Sequence, residues 1–125
     1  MVKISNYLKF LGIEVEEAKS NYVRVSCRVR EEHLNLHNTA HGSLIFSLAD
    51  AAFEIITNID RDSVALQMSI YFRRPARLGE KLIAEAFEES RGKTTSLYKI
   101  LVKNEEGKEV AFVEALVYHL DSKVS

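Results

Sequence analysis

The sequence predicts an α+β fold, an antiparallel sheet of five or six strands wrapped around one long buried helix, and three observations carry that reading. Six runs have strand character, and polar or glycine-containing turns separate most of them. Between the second and third lies a segment, Gly42 to Asn58, that is apolar around almost its whole circumference. A sheet with one apolar face must cover that face, and this segment is the only element apolar enough to do so.

At 125 residues the chain is long enough to bury one core and too short for two, so it reads as one domain over residues 1–125. Apolar residues make up 46% and charged residues 28%, and a formal net charge of -1 recommends neither nucleic acid nor membrane as a partner. Cys27 is the single cysteine, which rules out an intrachain disulfide, and no apolar run approaches the roughly 20 residues that span a bilayer. The opening MVKISNYLKF lacks the apolar stretch and cleavage site of a signal peptide, so a reducing, cytoplasmic location is the expectation.

In chain order, Ile4, Tyr7, Leu8 and Leu11 have the spacing of a one-faced helix, and Gly12 stands where a C-cap glycine belongs. Ile13 to Ala18 and Tyr22 to Arg30 flank Lys19, Ser20 and Asn21 as a hairpin with a polar turn. The second strand alternates, with Val23, Val25, Cys27 and Val29 on one face and Arg24, Ser26, Arg28 and Arg30 on the other. In the Gly42 to Asn58 helix the polar residues Ser43, Ser47, Asp50, Glu54 and Thr57 are spaced 4, 3, 4 and 3, which places them on one narrow stripe. Four more strand-like runs follow: Ser63 to Arg73, Glu80 to Glu89, Thr94 to Lys103 and Glu109 to His119. Reversals at Gly79, Gly92 and Asn104 to Gly107 between consecutive strands predict an antiparallel meander.

The string HNTAHGSLIFSLAD, His37 to Asp50, is the one dense mixture of polar groups, a glycine and a helix start. Helix N-termini carry unpaired N–H groups and partial positive charge, and a glycine lets a ligand oxygen approach closely. The Gly42 amide is therefore a candidate carbonyl clamp. Asp50, eight residues on, lies about 12 Å farther along the axis at a rise of about 1.5 Å per residue. Reacting atoms must meet at about 3 to 3.5 Å, so one chain cannot easily supply both groups to one carbonyl. Two helices side by side in opposite directions about a two-fold axis would bring Gly42 of one chain to Asp50 of the other.

On LGIEV near Leu11, LNLHNTAHGSLIFSLADAAF from Leu34, YFRRPARLGEKL from Tyr71 and RGKTTSLYKI from Arg91, the chain resembles hotdog-fold acyl-CoA thioesterases of the phenylacetate-degradation (PaaI-like) subfamily. The resemblance implies hydrolysis of an acyl-CoA, including aryl- or phenylacetyl-CoA, in a dimer at least and a tetramer of two dimers. It gives Asp50 the role of nucleophile or general base, and the Gly42 amide, preceded by His41, that of polarising the carbonyl from the neighbouring subunit. Asn35 matches an asparagine that helps hold the water or carbonyl, and Arg73, Arg74, Arg91 and Lys93 fall where relatives meet the CoA nucleotide. Two positions depart from the pattern. Ser43 stands where the family has a second glycine, and Ala65 where some relatives carry a water-orienting serine, so that task is either absent or filled by Ser69 or a water.

Blander readings stand beside these. His41 more often shapes a loop than carries a proton, His33 and His37 lack a third ligand at a sensible spacing, and neither metal nor cofactor is expected. Cys27 reads as core, and Leu36, Phe46, Phe53 and Tyr71 as either pocket walls or core. The rival functions are an acyl-CoA hydratase or dehydratase on the same fold, and a non-catalytic acyl-CoA sensor.

Overall fold

The computed structural model describes residues 3–120. Helix α1 (Asn6–Leu11) stops as expected at Gly12, whose φ of 83° is unpenalised only for glycine. The sheet comprises β1 (Glu14–Lys19), β2 (Tyr22–Arg28), β3 (Ser63–Phe72), β4 (Lys81–Arg91), β5 (Thr95–Lys103) and β6 (Glu109–His119), with α2 (Gly42–Thr57) against it. Lys19 pairs with Tyr22, so the first hairpin turns on two residues, Ser20 and Asn21, rather than three.

All neighbouring strands are antiparallel, in the order β1-β2-β4-β5-β6-β3. The expected meander holds for β4-β5-β6 but not for β3, which pairs with β6 at the far edge (Ser63 with His119, Phe72 with Ala111). The physical reason is α2. The chain passes from β2 through the helix and comes back to the sheet on the other side, leaving the middle positions open. Residues 73–80 then return from β3 to a place beside β2. Eight extended residues reach about 26 Å, enough for the roughly 14 Å across three inter-strand spacings.

Alternation puts Leu82, Ala84 and Ala86 of β4, Tyr98, Ile100 and Val102 of β5, and Val113, Ala115 and Val117 of β6 on the face turned to α2, all buried. Small residues on both sides, Ala49, Ala51 and Ala52 from the helix and Ala84, Ala86 and Ala115 from the sheet, let helix and strands approach closely while Leu48 and Phe53 fill the space between. Phe53 meets Tyr98 edge-on at 5.8 Å, so it belongs to the core and not to a pocket wall. Cys27 is buried as expected, and burial pushes its thiol pKa up.

Two buried histidines pin the ends of elements. His33 accepts the Arg30 N–H at Nδ1 (2.9 Å) and lies 3.1 Å from Leu11 O at Nε2, so it ties the end of α1 to the 3-10 turn Glu31–His33. His119 sits between the hydroxyls of Ser63 (2.8 Å) and Ser96 (2.7 Å), joining β3, β6 and β5. Burial first, then Arg30 for His33 and Arg61 and Arg91 for His119, holds both rings below the ordinary imidazole pKa. The unfolded chain therefore binds more protons than the folded one in the window just below about pH 6.5. The stability these neutral rings contribute is complete above that pH and is lost as pH falls through the folded values. In urea titrations between pH 7.5 and 5 the midpoint should fall with pH, with a slope of up to about 1.4 kcal/mol per pH unit for each histidine. A His33→Gln, His119→Gln variant that keeps the full wild-type slope would refute this origin.

Candidate active site

The segment before α2 is a compact loop organised by one side chain. Asn35 Oδ1 accepts the N–H groups of His37 (2.8 Å) and Thr39 (3.1 Å), while Nδ2 donates to Thr39 Oγ1 (3.0 Å) and, weakly, to Ala40 O (3.5 Å). Asn38 takes φ 62°, a conformation asparagine tolerates better than most residues. The Ala40 N–H donates to Ala76 O (2.7 Å) and the His41 N–H to His33 O (2.8 Å), which clamps the loop to neighbouring chain. Asn35 thus spends its amide inside the loop, and its hold on α2 runs through backbone.

His41 is the N-cap of α2. Its Nδ1 accepts the Ser43 N–H (3.1 Å) and lies 2.9 Å from Ser43 Oγ, and its carbonyl accepts from Leu44 and Ile45. The Ser43 hydroxyl thus gives the cap a second partner. Among the described residues, no acceptor takes the N–H of Gly42, which leaves a backbone donor free at the positive end of a sixteen-residue helix. An added Cβ at Gly42 would lie 3.2 Å from Cζ of Phe72, so the tip of that ring rests on the glycine. Sequence reasoning missed Phe72, which reads only as one more apolar residue of a strand, yet the residue stays 54% exposed.

The sheet covers α2 except along one strip: Ser43, Phe46, Ser47, Asp50, Glu54 and Asn58 are exposed or half-buried, while the rest of the helix from Leu44 onward is buried. This is the polar stripe of the sequence, with one change at its end. Thr57 is buried and its hydroxyl donates back to Phe53 O (2.7 Å), so Asn58 takes its place. Burial first, and then the charge of Glu54 one turn away, pushes the Asp50 carboxyl above the usual carboxylate range. Among the described residues no cation pairs with Asp50, and a half-buried carboxylate so placed is a cost to the fold; such groups concentrate at sites of chemistry. Beyond Glu54 a cavity of about 640 Å³ opens, lined by Ala18, Ile55, Asn58, Ile59 and Ser63 among others.

The other candidates fall less neatly. Ser69 accepts from Gln67 Nε2 (2.9 Å) and pairs with Glu114, which places it on the outer face of β3, because Met68 and Ile70 take the inner one. It cannot orient a water over Asp50 of its own chain. Tyr71 stacks on Phe112 on that same outer face and Leu36 is 99% exposed in the loop, so neither lines a pocket in the protomer, whereas Phe46 lies on the open strip. Arg73 pairs with Glu109 (3.1 Å) and Arg74 donates to Glu109 O (2.7 Å), next to Phe72 and the start of α2. Arg91 pairs with Glu88 (2.6 Å), and Arg91 and Ile56 border one small cleft near the other end of α2. Lys93 is close by in the β4–β5 turn, where its carbonyl accepts from Arg61 (2.6 Å). One chain therefore splits these four basic residues between the two ends of its helix.

With this geometry in hand, comparison with known proteins is direct. The pattern of the thioesterase superfamily matches residues 37–111, from the loop before α2 into β6. A putative esterase of Deinococcus radiodurans is 45% identical over 105 residues, covering 84% of this chain and 72% of that protein. Acyl-coenzyme A thioesterase PaaI of Escherichia coli is 32% identical over 118 residues, covering 94% and 84%, and its structure superposes with a TM-score of 0.91 over 93% of this chain and 85% of that one. A hypothetical thioesterase of Streptococcus pneumoniae, solved with coenzyme A, is 26% identical with a TM-score of 0.82, covering 86% and 84%. The six-stranded antiparallel sheet around one helix superposes on these solved structures, and the chain belongs to the thioesterase superfamily.

Proposed function

We propose that the protein hydrolyses acyl-CoA thioesters at a site built from two chains. The observation that carries this is the open strip of α2, which begins at the Gly42 N–H and holds Asp50 eight residues later, the one without an acceptor and the other without a counter-charge among the described residues. The Gly42 N–H of one subunit polarises the thioester carbonyl, and Asp50 of the other acts as nucleophile or as general base for water. As base, Asp50 takes a proton as the water oxygen bonds to the carbonyl carbon. The tetrahedral intermediate then collapses, the C–S bond breaks, and the CoA thiolate leaves and is protonated. The acyl group extends into the cavity past Glu54, whose volume suits a small-molecule ligand. His41 caps α2 and Asn35 shapes the loop that presents Gly42, while Arg73, Arg74, Arg91 and Lys93 are surface cations suited to the CoA phosphates. The names of the E. coli relative and of the CoA-bound Streptococcus structure support this substrate class.

The oligomer, at least a dimer, is supported by the edge of the sheet. At one edge β1 reads EVEEAK, dense in charge; at the other β3 reads SVALQMSIYF, ten residues without a single charge, with Val64, Leu66, Tyr71 and Phe72 exposed. A long, uncharged, apolar edge invites another strand, and a second copy of β3 supplies one. Phe46, midway between Gly42 and Asp50, would then meet its own symmetry mate.

A panel of acyl-CoA thioesters assayed for released thiol tests the activity: wild type turns over, and Asp50→Asn lowers kcat at least about a hundredfold with the oligomer intact. Unchanged turnover in that variant would sink the assignment. Because the Asp50 pKa is raised in the fold, its ionised form weakens the native state at neutral pH. Asp50→Asn should therefore melt higher than wild type at pH 7, and the gain should vanish as pH falls below the ordinary carboxylate value of about 3.9. Activity should fall as pH drops through that raised pKa, and Glu54→Gln, which removes one cause of the elevation, should move the acid limb of kcat/KM to lower pH. A charge on the edge strand, Leu66→Arg, should give an inactive monomer in sedimentation, and an active monomer would overturn the two-chain site.

A further inference from the structure

Phe72 touches the group on which that reading depends. Its backbone is fixed, since it pairs with Ala111, and the next two N–H groups, of Arg73 and Arg74, both donate to Val110 O (2.8 and 3.3 Å). Its neighbour Tyr71 is held on the opposite face by Phe112, with ring centroids 6.4 Å apart. From that fixed root the ring reaches to Gly42, where Cζ and Cε1 would lie 3.2 and 3.4 Å from an added Cβ. Half of the ring is nevertheless open to solvent, so the core does not account for it. The tip of Phe72 thus rests against the residue that carries the free N–H.

We propose that Phe72 is a positioning residue for thioester hydrolysis, its ring walling the Gly42 amide so that the carbonyl binds there in line with the donor and away from water. This inference rests on the acyl-CoA reading above. An amide in open water makes a weak net hydrogen bond, because the acceptor exchanges one partner for another. The same donor shielded from water on one side interacts more strongly with charge developing on the carbonyl oxygen. The shielding acts on the transition state more than on the ground state, so its removal shows in kcat rather than KM. The contact also explains the need for glycine at position 42. Any side chain there pushes the ring tip aside by a few tenths of an ångström, because 3.2 Å is tighter than ordinary packing.

The test measures thiol release by the full-length protein for wild type, Phe72→Ala, Phe72→Leu, Gly42→Ala and Gly42→Ala with Phe72→Leu, each checked for oligomeric state and melting temperature. Phe72→Ala should lower kcat roughly tenfold or more with KM within about threefold, and Phe72→Leu, which keeps an apolar wall, should recover most of the loss. Gly42→Ala should lose more activity in the wild-type background than beside Phe72→Leu, a coupling of at least about threefold that independent sites would not show. Additive effects of the two substitutions, or a Phe72→Ala variant whose only change is in melting temperature or assembly, would overturn the proposal while leaving the thioesterase reading standing. Absence of thiol release by wild type would overturn both.

Discussion

The single open strip along α2 is the constraint on which the rest depends. A helix apolar around most of its circumference is stable in water only when nearly surrounded, and six strands surround it on every side but one. The sheet ends in two edges, and those edges differ in character: β1 carries glutamates and a lysine, β3 no charge at all. An uncharged edge can be paired and a charged one resists it, so the β3 side is the edge open to a further strand. The fold leaves the polar groups on the strip uncovered, and a second surface closing over them is what the proposed two-chain site requires.

Much of this was legible in the sequence, for a physical reason. Periodicity reports which face of an element meets apolar surroundings, so the limits of α2, the positions of all six strands and the polar stripe from Ser43 to Glu54 could be read directly. Lateral order is different. Nothing in the alternation of β3 states whether its neighbour is β4 or β6, and only the helix between β2 and β3 explains why it lands at the far edge. The stripe failed at Thr57 for a related reason: a hydroxyl can satisfy itself on a carbonyl one turn back, so polarity there did not require exposure.

The functional residues divide along the same line. Gly42 and Asp50 lie within one continuous helix and His41 caps its start, so spacing fixes their geometry and the structure places them as spacing required. Asn35 was visible as polar and close in sequence, yet its contacts hold the loop together. Phe72 stood thirty positions away on another element, and its approach to Gly42 arises from tertiary packing that no local pattern encodes. The four basic residues were grouped by resemblance, and the chain separates them by most of the length of α2.

That separation sharpens the argument for two chains. In an antiparallel pair of helices the start of one lies beside the end of the other, so Arg73 and Arg74 of one subunit would approach Arg91 and Lys93 of its partner, as Gly42 would approach Asp50. The same two-fold operation thus brings together both halves of the chemistry and both halves of the cationic surface, although neither pair meets within a chain. Cations at the two ends of α2 would make a poor phosphate site within one protomer, since a helix of sixteen residues is about 24 Å long and screening by salt acts over about 8 Å. Paired across the proposed interface they would be local to one nucleotide, and a single two-fold axis would account for the uncharged edge, the open strip and the divided site together.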